Sequence, residues 1–68
     1  MTILVNYKQL SPNTLDVALN VAEYAYPQTI ESAWKRLDSL LEMERITETT
    51  YNEIKSEVTF TYDYEEEL

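Results

Sequence analysis

Alternating apolar and polar residues occupy both ends of this chain, and that pattern constrains its fold more than any other feature. In residues 1–8, Met1, Ile3, Val5 and Tyr7 alternate with Thr2, Leu4, Asn6 and Lys8, with only Leu4 out of pattern. Successive strand side chains point to opposite faces, so this segment reads as a strand with one apolar face. In residues 57–64, Val58, Phe60, Tyr62 and Tyr64 alternate with Glu57, Thr59, Thr61 and Asp63, mostly residue types that favour strands. Two strands alone are marginal in water and need a packing surface, which the residues between them must supply. The strands can pair with each other or with those of a symmetry mate, and the sequence leaves both arrangements open.

Three helices are expected between them. Ser11 followed by Pro12 supplies an N-cap and a first-position proline, and Leu10 and Leu15 stand at the positions of a hydrophobic staple, giving a helix over 12–25. Its polar residues Asn13, Asp16, Asn20 and Glu23 fall in one narrow wedge, so the rest of its circumference needs cover. A sheet and the other helices of the same chain provide that cover most economically, and a second copy is the alternative. Pro27 ends this helix. Thr29 caps the next, over 30–43, whose apolar stripe of Ile30, Ala33, Trp34, Leu37, Leu40 and Leu41 opposes Glu31, Lys35, Asp38 and Glu42. For the third helix Thr50 with Glu53 fits a capping box. Thr47, flanked by Ile46 and Tyr51 at staple spacing and followed by Glu48 at the positive end of the helix dipole, fits better and gives a helix over 48–56. Trp34, Tyr24, Tyr26 and Tyr51 are read as core. The expected fold is α+β, a small single domain in β-α-α-α-β order over residues 1–64 with an acidic tail at 65–68; a mostly α helical bundle is the alternative.

The stretch containing Leu37, Leu40, Leu41, Ile46, Thr47, Tyr51 and Ile54 resembles the helical hairpins of short C-terminal oligomerisation domains, in which an Ile-Thr pair opens the second helix. Arg45 stands where a glycine is usual before that pair. The resemblance covers about a third of the chain and implies packing and self-association.

At 68 residues the chain can support one core, and its 44% hydrophobic content is too high for a disordered polyanion. The N-terminus lacks a basic region and its apolar run is short, so no signal peptide is expected, and no stretch reaches the roughly 20 apolar residues needed to span a bilayer. No membrane contact and a cytoplasmic location follow as expectations. The chain has no His, Cys or Gly, which removes the commonest general base, thiolate chemistry, an EF-hand loop and phosphate-cradling Gly-rich loops. Ser11, Ser32, Ser39 and Ser56 have no His to activate them, and nothing marks Lys8, Lys35 or Lys55 as desolvated. Neither an enzyme, a cofactor nor a metal is expected.

Charge supplies the functional lead. Thirteen Asp and Glu against five Lys and Arg give a net charge of −8, unevenly spread. Lys8 and Asp16 cancel in the first 22 residues, whereas residues 47–68 set seven acids against Lys55 alone. Such a field repels nucleic acid, so no direct nucleic-acid contact is expected, and attracts a basic protein surface. The expected activity is that of a small acidic binding protein that occludes a basic, nucleic-acid-binding surface of a protein partner. Glu53, Glu57, Asp63, Glu65, Glu66 and Glu67 would supply the field, with Tyr62 and Tyr64 as contact anchors. In size and charge the chain is similar to the anti-defence inhibitors of phages and mobile elements, including anti-CRISPR proteins and DNA mimics, and this resemblance of class implies a viral protein in the host cytoplasm. The alternative is a homo-oligomeric structural or regulatory module, a homodimer for example, whose acids only solubilise it.

Overall fold

A computed structural model of the chain describes residues 2–63. It is an α+β domain in the order β1 (Thr2–Asn6), α1 (Pro12–Glu23), α2 (Ile30–Glu42), α3 (Glu48–Glu57) and β2 (Thr59–Asp63). The two terminal strands pair with each other, antiparallel, from Thr2 opposite Asp63 to Asn6 opposite Thr59. Ile3 and Phe60 are buried and Val5 and Tyr62 half-buried on the inner face, while Thr2, Leu4, Asn6, Thr59, Thr61 and Asp63 face outward. Helix α1 packs behind β1 and α2 behind β2, and α3 closes against both helices. The helical-bundle alternative is thereby set aside.

Local chemistry explains each helix start. Ser11, Thr29 and Thr47 are all extended in backbone, and each side-chain oxygen accepts from the backbone N–H three residues on, at Thr14, Ser32 and Thr50. These bonds satisfy donors that a helix leaves without partners in its first turn. The core joins all five elements through Ile3, Ala18, Val21, Leu37, Ile54 and Phe60, and Trp34 meets Phe60 edge-on with ring centroids 4.6 Å apart. Leu37, Ile54 and Val21 are fully buried, each side chain contributing about 1.5–3 kcal/mol by its removal from water.

The element ends differ from expectation for physical reasons. The first strand stops at Asn6, short of Tyr7, because its partner runs out: the Val58 N–H closes the last turn of α3 on Ile54 at 3.0 Å, so the ladder begins only at Thr59. Helix α1 stops at Glu23, short of Ala25. There the Gln28 side-chain amide donates to the carbonyls of Ala22, Glu23 and Ala25 at 2.9, 3.2 and 2.9 Å, taking up groups that the helix end exposes. Past that end the helical period no longer applies, so Tyr24 and Tyr26, expected in the core, are 59% and 94% exposed. A cis peptide joins Tyr26 to Pro27. Helix α2 stops at Glu42, one residue before the expected Met43, and α3 runs to Glu57, one beyond the expected Ser56.

Candidate functional site

The expected acidic surface divides once the elements are in place. Glu53 lies on α3, half-buried, and its carboxylate turns inward to the start of α1. The Thr14 hydroxyl donates to Glu53 Oε1 at 2.8 Å and the Ser11 backbone N–H to Oε2 at 3.4 Å. Ser11 Oγ in turn donates to Thr14 Oγ1 at 2.9 Å, so a chain of hydrogen bonds ends on the carboxylate. Thr14 is the one polar side chain buried among the described residues, 2% exposed, and Glu53 is the acceptor for its hydroxyl proton. Glu53 is thus committed to joining α3 to α1.

Glu57 lies one helical turn further on, fully outside the core. It shares with Glu53 a cleft of about 530 Å³ lined also by Gln9, Leu10, Ser11 and Ser56. Asp63 is exposed at the far end of β2, opposite Thr2. A five-residue strand puts about 13 Å between its first and last residues, so Asp63 does not join the Glu53–Glu57 pair. Tyr62 is half-buried on the inner sheet face, and its hydroxyl accepts the backbone N–H of Ile30 at 2.9 Å, tying β2 to the first turn of α2. Tyr64, Glu65, Glu66 and Glu67 lie outside the described residues.

Comparison with known proteins finds no family model, curated sequence or solved structure that matches this chain. Its chemistry is read from its own side chains.

Folding also assembles acids that a segment-by-segment charge count separates. Glu42 ends α2, Glu44 lies in the turn and Glu48 opens α3; all three are exposed, with Arg45 the cation among them. A count that breaks between the second and third helices splits this group, and reading the hairpin as one unit would have recovered it. The nearby Asp38 is engaged, accepting the Tyr51 hydroxyl at 2.7 Å. That hydrogen bond, followed by burial and the Asp38 charge, raises the Tyr51 pKa above the usual tyrosine value.

The cations neutralise few of these acids. Among the described residues one ion pair forms, Lys35 with Glu31 at 3.7 Å, both well exposed. Lys55 lies over the rings of Trp34 and Tyr51, at 5.1 and 5.8 Å from their centroids, and Arg36 lies 5.8 Å from the centre of Tyr24. These are cation–π distances. No group of three or more acidic side chains among the described residues is arranged to hold a metal ion, and no helix is long and apolar enough to cross a membrane.

Proposed function

We propose that this chain is a small, acidic, non-enzymatic binding protein that occludes a basic, nucleic-acid-binding surface of a protein partner, in the manner of an anti-defence inhibitor. One observation carries the reading: the exposed carboxylates at the α2–α3 turn, on α3 and at the end of β2 have no cation paired to them among the described residues. Opposed to a positive surface, uncompensated charges steer association and strengthen as water is excluded. Glu57 and Asp63 act in that field with Glu42, Glu44 and Glu48, and Glu65, Glu66 and Glu67 add to the net negative charge. Glu53 and Tyr62 support it from within the fold.

The test uses affinity capture from the source organism with the full chain and with a variant carrying Glu42→Gln, Glu48→Gln, Glu57→Gln and Asp63→Asn. The expected result is a nucleic-acid-binding partner that duplex DNA displaces and high salt releases, exposed charges being screened beyond about 8 Å at physiological ionic strength. The variant, folded by circular dichroism, should lose that partner. Capture that survives both neutralisation and competing DNA would overturn the reading.

A second reading, a homo-oligomeric module, is favoured by Leu4 and Leu19, 42% and 47% exposed, and by a sheet of two strands in which each has one strand neighbour. Mass measurement in solution separates part of the question, since a dimer is compatible with both readings. A strict monomer at tens of micromolar removes the oligomeric reading.

A further inference from the structure

One cleft departs from the composition of the rest of the molecule. Ser32, Lys35, Arg36 and Ser39 recur at i, i+3, i+4 and i+7 and so share one face of α2. Together with Tyr24 and Tyr26 from the connection after α1, they line an open cleft of about 290 Å³. Two of the five cations of a −8 chain meet there with no carboxylate in the lining. Three other clefts each contain one or more: Glu53 and Glu57, Glu57 beside Lys8, and Asp16 beside Arg45.

The cations are positioned but not used up. Arg36 donates from Nη2 to Asn20 Oδ1 at 3.2 Å and lies over the Tyr24 ring, while its buried Nε–H has no hydrogen-bond partner among the described residues. An acceptor that drew the guanidinium over would satisfy that donor, and guanidinium pairs well with oxyanions through two parallel bonds. Lys35 is held only by Glu31, at 3.7 Å and on the surface, where solvent screens the pairing. Tyr26 is 94% exposed, so its ring is accessible to a flat partner.

We infer that this cleft binds a small ligand that joins a phosphate to a flat ring, the chemistry of a mononucleotide, with Arg36 and Lys35 on the phosphate and Tyr26 stacked on the ring. The volume lies near the low end for ligand clefts, about 300–1,000 Å³, which suits a single nucleotide. A strand is disfavoured because each further phosphate would enter the field of the surrounding acids. The inference does not depend on the proposed occlusion of a protein partner.

The test is amide NMR titration of the full chain with AMP, adenosine, inorganic phosphate and a short single-stranded oligonucleotide. AMP should shift amides between Tyr24 and Ser39 and bind at least about tenfold more tightly than adenosine or phosphate, since stacking on one aromatic ring contributes about 1–3 kcal/mol. Tyr26→Ala, at a site exposed enough to leave the fold intact, should weaken AMP by about tenfold, and Lys35→Gln should weaken it while leaving adenosine unchanged. Absence of shifts, phosphate acting as well as AMP, AMP binding unaltered in Tyr26→Ala, or tighter binding of the oligonucleotide than of AMP would each overturn the inference.

Discussion

Replacing Glu53 by Ala should destabilise this domain far more than removing any other carboxylate of α3. The change deletes the acceptor for the Thr14 hydroxyl and for the Ser11 N–H. Thr14 is 2% exposed, so its hydroxyl donor would be left in the protein interior, at a cost of about 1–3 kcal/mol. Loss of a negative charge beside the first turn of α1 adds about 0.3–1 kcal/mol. The sum is about 1.3–4 kcal/mol, against a total stability of roughly 3–10 kcal/mol for a chain of this length. In a domain this small each kcal/mol moves Tm by about 4–8 °C, so Glu53→Ala should lower it by about 5 °C or more. Glu57→Ala is the matched control: it removes the same charge one turn away from an exposed residue and should stay within about 0.5 kcal/mol of the parent. Urea melts followed by Trp34 fluorescence and far-ultraviolet circular dichroism give both values. A double-mutant cycle with Thr14→Val should return a coupling of about 1 kcal/mol or more, because valine leaves no donor to strand. Equal melts for Glu53→Ala and Glu57→Ala, or a coupling near zero, would refute the assignment of Glu53 to the fold.

Glu44 holds a left-handed backbone, φ 59°, in the turn that closes α2, so Glu44→Gly should stabilise the protein by about 0.5–1 kcal/mol in urea melts. Leu37→Ala, at a fully buried site, should cost about 2–5 kcal/mol, read as a lowered urea midpoint by circular dichroism. The Tyr51 pKa is raised by Asp38, so the folded state keeps this proton longer than the unfolded one. Its contribution to stability is whole below the ordinary tyrosine value of about 10 and is lost as pH rises through the raised value. Tyr51→Phe should therefore flatten the alkaline fall in stability, and tyrosinate difference absorbance should lose a component that titrates above the ordinary tyrosine value.

What sequence could reveal follows from how local each cause is. The three caps at Ser11, Thr29 and Thr47 were legible because a side chain meets the backbone three residues away. Strand faces were legible because alternation is a local pattern, yet whether the strands joined each other was not, since the pair spans nearly the whole chain. Glu53 shows the limit most clearly. Its spacing from Thr50 suggests a capping box, but the Thr50 N–H bonds to Thr47, and the carboxylate reaches instead to Thr14, 39 residues away. Alternation puts Tyr62 on the apolar face with Val58 and Phe60, and only its neighbouring acids make it resemble a surface anchor; its bond to the Ile30 N–H depends on where α2 begins. In a chain without glycine the left-handed position had to fall on another residue. The hairpin resemblance puts the glycine position at Arg45, whereas the left-handed residue is Glu44, with the Glu44 and Arg45 N–H groups closing on the Leu41 and Leu40 carbonyls at 2.9 and 2.8 Å.

The geometry also bears on how an acidic binder of this shape would act. Along β2, the described acids available to a partner are Glu57 just before the strand and Asp63 at its end, separated by about 13 Å or more. Duplex DNA carries about eight charges over the same length, at one per 1.7 Å of axis. A row of side chains on this strand therefore cannot reproduce the phosphate ladder one for one. Among the described residues a closer-spaced group lies at the α2–α3 turn, where Glu42, Glu44 and Glu48 fall within seven residues of chain with Arg45 the cation among them. Occlusion would then come from a compact negative end of the helical hairpin, and it favours a partner with a localised basic pocket over one with a long duplex-binding groove. The two alternatives separate by mutation: Glu42→Gln with Glu48→Gln should weaken binding more than Glu57→Gln with Asp63→Asn, and the reverse order would restore the strand as the binding edge.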